Sequence, residues 1–181
     1  MFSKVSTQKN YRSALVLSLC LTLAACGFHL RGMLSLPASM QKLTVLSLSN
    51  DSPLVPTLTS ALQVAGVDVV PPGQAPFTLT ILTDDFTSSI GSISASTNTR
   101  QYSLSYRVSI QLNDKDGTIV IAPSTLQTYR TLTVDANMIL GSNSQEFTLK
   151  QEMREDIVQK VLAQIASKQT KARIEALPTK K

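Results

Sequence analysis

The sequence predicts an α+β domain, a two-layer sandwich with two helices packed on one face of a mostly antiparallel four-stranded sheet. Three observations predict it. Strict two-residue alternation of apolar and polar residues recurs through the middle of the chain, with its longest run from Gln101 to Leu112. Two other segments repeat their apolar residues every three to four positions, one ahead of the long strands and one after them. No repeat and no linker divides these segments, so residues 41–168 read as one domain in the order β-α-β-β-β-α, with one further short extended piece.

The first strand is "KLTVLSLS", Lys42 to Ser49, where Leu43 and Val45 alternate with Thr44, Leu46 and Leu48. It is buried on at least one face. Asp51 or Ser52 then caps a helix whose first position is Pro53, a residue that needs no N–H there. Leu54, Leu58, Leu62 and Ala65 form its apolar stripe, and Gly66 supplies the stop. Val67–Val70 is the short extended piece, closed by the turn "PPGQAP". Phe77, Leu79 and Ile81 alternate with Thr78, Thr80 and Leu82 in the second strand. Asp84-Asp85 reads as the end of that strand, since adjacent strand residues point to opposite faces and do not share a proton. From Thr87 to Thr99 the chain is almost all Ser, Thr, Gly and Asn, interrupted by Ile90 and Ile93. Two readings stay open there: a flexible loop, or a serine-rich strand pair whose outer face meets something other than water.

Tyr102, Leu104, Tyr106, Val108, Ile110 and Leu112 alternate without a break against Gln101, Ser103, Ser105, Arg107, Ser109 and Gln111. This is the strongest strand of the chain. "NDKDG" turns it back; the motif lacks the spacing and the closing glutamate of a calcium loop. The return strand runs from Thr118 to about Val134, with Pro123 marking a bulge or an edge. Asp135 to Ser144 reads as a loop, and Asn143 with Glu146 resembles a capping box. The helix that follows places Leu149, Met153, Ile157, Val161 and Ile165 on one stripe, with Lys150, Glu152, Arg154, Glu155 and Lys160 away from it. Residues 169–181 are expected to be a basic, disordered tail.

The N-terminus carries a processing signal. Lys4, Lys9 and Arg12 precede an apolar run from Ser13 to Leu23 that is too short to span a bilayer. Leu23-Ala24-Ala25-Cys26 then has the form of a bacterial lipobox, with small side chains before the cut and a thiol to be acylated. Cys20 follows the bulky Leu19 and competes poorly. The expectation is a signal peptide over residues 1–25, lipid attachment at Cys26, and a tether over residues 26–40. Gly27 in place of aspartate leaves no inner-membrane retention signal, so the expected address is the periplasmic side of the outer membrane. Two or more acyl chains hold such an anchor firmly.

Cleavage removes 25 of 181 residues and leaves 156, enough for one domain with a core. It also removes three of 17 basic residues and none of 12 acids, so fourteen bases face twelve acids and the mature charge is +2. No basic stripe with interleaved aromatics is present, which argues against nucleic acid. With Cys26 acylated, no thiol remains for a disulfide or for catalysis, and His29, the one histidine, sits in the tether. No nucleophile–base constellation and no metal cluster can be assembled, so no enzyme activity and no cofactor are expected.

With both helices on one side, the other face of the sheet carries Ser103, Ser105, Ser109 and Gln111, with Arg107 as the main charge. Two readings stay open: a face lying against another polar wall, or a threonine- and serine-rich sheet that simply meets water. The segments "CGFHLRG", "LPASMQKLTVLSL", "PLVPTLTSALQVAGVDVV" and "QEFTLKQEMREDIVQKVLAQI", with the strand from Gln101, together resemble the LPS-assembly lipoprotein family LptE. The resemblance covers the mature chain, and its most specific part is Cys-Gly-aromatic-His-Leu-Arg. It implies an outer-membrane lipoprotein that plugs the lumen of the β-barrel LptD, whose interior is polar, and helps deliver lipopolysaccharide to the outer leaflet. It also implies contact with lipopolysaccharide through basic side chains near one end of the sheet. The candidates here are Arg100 and Arg107, since the Asp135–Ser144 segment has no lysine or arginine. A second function from a different class is an independent periplasmic lipid-binding lipoprotein, which requires an apolar cavity between helices and sheet.

Overall fold

A chain that alternates strictly over a dozen residues must bury one face of a long strand, and in the computed structural model it does. The structure describes residues 36–49, 51–94, 99–135 and 139–177. Five strands form one sheet: β1 (Lys42–Ser47), β2 (Asp68–Val69), β3 (Phe77–Ser94), β4 (Thr99–Asp114) and β5 (Ile119–Asp135). Their spatial order is β2-β1-β3-β4-β5. Helix α1 (Leu54–Val64) links β1 to β2; α2 (Ile139–Ile165) and α3 (Lys168–Glu175) follow β5. A short 3₁₀ turn, Ala38–Met40, leads into β1.

The sheet is mixed, and this corrects the expected four mostly antiparallel strands and two helices. β1 runs parallel to both β2 and β3, while β3-β4 and β4-β5 are antiparallel. The α1 crossover is the physical reason. A helix that packs back along a strand returns the chain to the strand's starting end, so the next strand runs parallel. β2 is only two residues long because Pro71 and Pro72 follow it and have no N–H for a ladder, and the Thr44 hydroxyl donates to the carbonyls of Val70 and Pro71 at 3.1 and 3.2 Å. The chain then returns to the same end of the sheet and enters β3 beside β1.

The core lies between the sheet and the helices. Leu54, Leu58 and Leu62 of α1 are fully buried, as are Met153, Ile157, Val161 and Ile165 of α2. They meet Leu79, Ile81, Leu104, Val108, Ile110 and Leu112 of β3 and β4. Each such side chain contributes roughly 1.5–3 kcal/mol when fully buried. Gly66 ends α1 with φ +84°, a conformation glycine adopts without strain.

Several element boundaries differ from expectation. The α1 N-cap is Pro53 and no side chain caps it; the Ser52 hydroxyl donates instead to the Asp84 carboxylate. β3 does not end at Asp84-Asp85 but continues through the serine-rich segment to Ser94, and β4 starts at Thr99. Residues 87–94 are therefore strand. α2 starts at Ile139, so Asn143 lies within the helix and is not its cap. The supposed disordered tail holds α3. Ser167 caps it by accepting from the Thr170 amide at 3.2 Å, and Ile174 and Thr170 are buried.

Candidate functional site

Opposed residues of neighbouring strands share a face, so the register states which side chains lie together. A shift between Ile81 and Thr83 reverses the phase of β3. It brings Asp84, opposite Val108, onto the helix-covered face and sends Asp85, opposite Arg107, to the outer one. A second shift lies at Gly91, where a Cβ would stand 3.1 Å from the Ser103 hydroxyl. Beyond Ile81 the β1 partner is gone, and β3, β4 and β5 continue as a three-stranded platform.

The outer face of that platform is built from small uncharged polar residues. β3 contributes Thr87, Ser89, Ser92 and Ser94; β4 contributes Thr99, Gln101, Ser103, Ser105 and Ser109; β5 contributes Thr125, Gln127, Tyr129, Thr131 and Thr133. Its charges are the cross-strand neighbours Asp85 and Arg107, and Asp135 at its end. Ser109 and Thr125 share a hydrogen bond of 2.8 Å, Ser92 donates to Gln101 Oε1 at 3.1 Å, and Tyr129 donates to Gln127 Oε1 at 2.9 Å. Tyr129 is 58% exposed, an aromatic side chain laid on a hydroxyl surface.

The helix-covered face of the same platform holds a polar cluster. Asp84 accepts from Ser52 at the start of α1, and the Tyr106 ring packs edge-on against Phe86 with 6.3 Å between centroids. Lys150 of α2 lies over the Phe86 ring at 4.5 Å. The Tyr106 hydroxyl and the Arg154 Nε are buried without a well-formed hydrogen bond. Burial pushes the Tyr106 phenol well above its ordinary range; the nearby Asp84 carboxylate adds to the rise, and Arg154 partly offsets it. The cluster ties α1, β3, β4 and α2 together, and it holds no nucleophile–base pair. Among the described residues, no group of three potential ligands could hold a metal ion.

The predicted site residues do not converge. Arg107 is exposed on the outer face, whereas Arg100 is exposed on the opposite face, level with Ile93 and Val134. They stand seven strand positions apart, roughly 23 Å. Cys26 and His29 lie outside the described residues. Sequence reading found the β4 hydroxyls but left the β3 segment open between loop and strand, because the bulges that set the phase of β3 leave no periodic signal. Among the described residues, no helix is long and apolar enough to cross a membrane.

Three comparisons bear on this arrangement. Residues 40–165 match the family model described as LptE, lipopolysaccharide-assembly. The chain is 28% identical over 171 residues to an LPS-assembly lipoprotein LptE from Pectobacterium atrosepticum, covering 90% of this chain and 91% of that one. It is 26% identical over 146 residues to the LptE of Photorhabdus laumondii, covering 80% and 79%. The fold is similar to the solution NMR structure of a lipoprotein B from Nitrosomonas europaea, with a TM-score of 0.67, 24% identity, and 82% and 96% of the two chains covered. With the family match spanning α1, α2, the sheet and the hydroxyl face alike, the chain belongs to the LptE family of lipopolysaccharide-assembly lipoproteins.

Proposed function

We propose that this protein is an outer-membrane lipoprotein, anchored through acylated Cys26 on the periplasmic side, that plugs the LptD β-barrel and helps it deliver lipopolysaccharide to the outer leaflet. The observation that carries the reading is the outer face of β3, β4 and β5, a broad hydroxyl and amide surface with few charges. The lumen wall of a transmembrane barrel is polar, and a surface of short hydroxyls can sit against it without burying unpaired charge. The role is one of assembly and positioning, not of catalysis.

The test is co-purification from membranes in mild detergent, with Ser103→Glu as the perturbation. Ser103 lies between Ser89 and Thr131 in the middle of the face. The unchanged chain should bring LptD with it in near-equal amount, and Ser103→Glu should lose most of it while keeping the fold. Normal barrel assembly in cells lacking this protein would refute the reading. The chain purified alone with tightly bound lipid and no barrel would favour an independent lipid carrier. Against that alternative stands the interior of the domain, where leucine, isoleucine and methionine side chains of sheet and helices pack against one another.

A further inference from the structure

Among the described residues β5 is an edge strand along its whole length, and its unpaired main-chain groups are treated in two different ways. In the run Ser124–Asp135 its register against β4 is unbroken, so alternate residues present N–H and C=O to the open side. The phase is fixed by two contacts. Lys160 Nζ donates to the Gln127 carbonyl at 2.5 Å, and Arg130 donates to the Tyr129 carbonyl at 3.0 Å. Further back, across the irregularity near Pro123, Arg173 donates to the Val120 carbonyl at 3.0 Å. Three cations thus cap this edge, which blunts it against strand addition.

Thr131 and Thr133 are in phase with Gln127 and Tyr129, so their main-chain groups also face outward. Among the described residues, no cation caps them. Beside them runs an open groove of about 490 Å³, between Thr131–Thr133 and Gln145, Thr148 and Leu149 of α2. Its floor is apolar, from Leu132 and Leu149, and its outer lip is hydroxyl, from Thr131 and Thr133. On the other free edge of the platform, β3 beyond Ile81, two register shifts bound an unbroken run from Thr83 to Ile90.

We infer that Thr131–Thr133 is a strand-addition site, and that its occupant is an extended segment of the barrel partner paired main chain to main chain with β5. The inference rests on the partnership proposed above. A bare N–H and C=O pair is matched by another backbone, which supplies both complements at the sheet spacing of about 4.8 Å. The groove selects an alternating segment. Apolar side chains face Leu132 and Leu149, and small polar ones extend the hydroxyl face that lies against the same partner. The cations on Val120, Gln127 and Tyr129 confine pairing to the end of the strand, and so set its register.

The test uses the full-length chain purified with and without the barrel, and two readouts. Thr131→Pro and Thr133→Pro each delete an outward N–H and leave the β4 ladder intact, which an edge strand tolerates. Together they should cut co-purifying barrel by about tenfold or more, because each leaves a carbonyl of the partner unpaired. Thr131→Ala, which keeps the N–H, should not. Hydrogen exchange supplies the second readout without substitution: the Thr131 and Thr133 amides should exchange rapidly in the chain alone and slowly in the complex. A complex in which those amides exchange as fast as in the free chain overturns strand addition and leaves the partnership standing. Slow exchange in the chain purified alone assigns the edge to a second copy and overturns the occupant. Failure of the unchanged chain to bring the barrel overturns the partnership itself, and this inference with it.

Discussion

Replacing Tyr106 by phenylalanine should stabilise the protein, and increasingly so in alkali. Tyr106 is 2% exposed, and its hydroxyl has no well-formed hydrogen bond; Asp84 accepts from Ser52, and the Arg154 guanidinium reaches Gln151 at 2.6 Å. Burying a hydroxyl without a partner costs about 1–3 kcal/mol, and phenylalanine keeps the ring contact with Phe86 while removing that cost. Tyr106→Phe should therefore gain about 1 kcal/mol at pH 7. The phenol is also held neutral in the folded state, by desolvation first and by the Asp84 carboxylate second. Its folded pKa is raised, so the stability it contributes is complete below the unfolded value of about 10 and is lost as pH rises above it. Over that range the unfolded state binds fewer protons than the folded one, and stability falls by about 1.4 kcal/mol per pH unit. The phenylalanine variant lacks this slope. Urea unfolding of both proteins at pH 7 and pH 11, in a Cys26→Ala background, measures the two effects. A loss of 1 kcal/mol or more in Tyr106→Phe at pH 7 would mean that the hydroxyl is firmly bonded. Parallel curves between the two pH values would refute the buried neutral phenol.

Ile157→Ala, at a fully buried position on the α2 stripe, should cost about 2–5 kcal/mol in the same assay, and a loss below 1 kcal/mol would mean that α2 does not pack there. Gly117 has φ +83° and no heavy atom within 4 Å of an added Cβ, so Gly117→Ala should lose roughly 1 kcal/mol from backbone strain alone. An unchanged midpoint would refute the strained turn. Ile174→Ala should detach α3 and speed amide exchange over Lys168–Glu175; unchanged exchange would mean the helix is held without that buried contact. Cys26→Ala should abolish acylation and move the protein from the membrane to the soluble periplasmic fraction, unless the barrel alone retains it, which fractionation of cells lacking the barrel distinguishes.

Much of the fold follows from local rules that the sequence states openly. The alternation from Gln101 to Leu112 determined β4 and which of its faces is buried, and the stripe from Met153 to Ile165 determined the buried side of α2. Both are periodic signals set by the geometry of one element, and each reports burial on one face. The strand from Phe77 was legible as far as Ile81 for the same reason. Ser167 and Ile174 also carried a readable signal, a cap followed by an apolar residue one helical face away, but a short basic segment masked it.

Tertiary structure alone decided the pairing. That β3 lies beside β1 and runs parallel to it depends on where the α1 crossover returns the chain, a non-local matter with no mark in the residues of either strand. The bulges at Ile81/Thr83 and Ile90/Ser92 depend on how β3 fits β4, and they determine that Asp84 turns inward while Asp85 meets Arg107. The serine-rich run could be loop or strand by composition, and became strand because β4 provided its ladder partners from Thr87 to Ser94. The capped and uncapped stretches of β5 likewise exist only once α2 and α3 bring Lys160 and Arg173 to its edge. Periodicity reports what one segment buries; register, phase and edge are properties of two segments meeting, and a single sequence holds no direct record of that meeting.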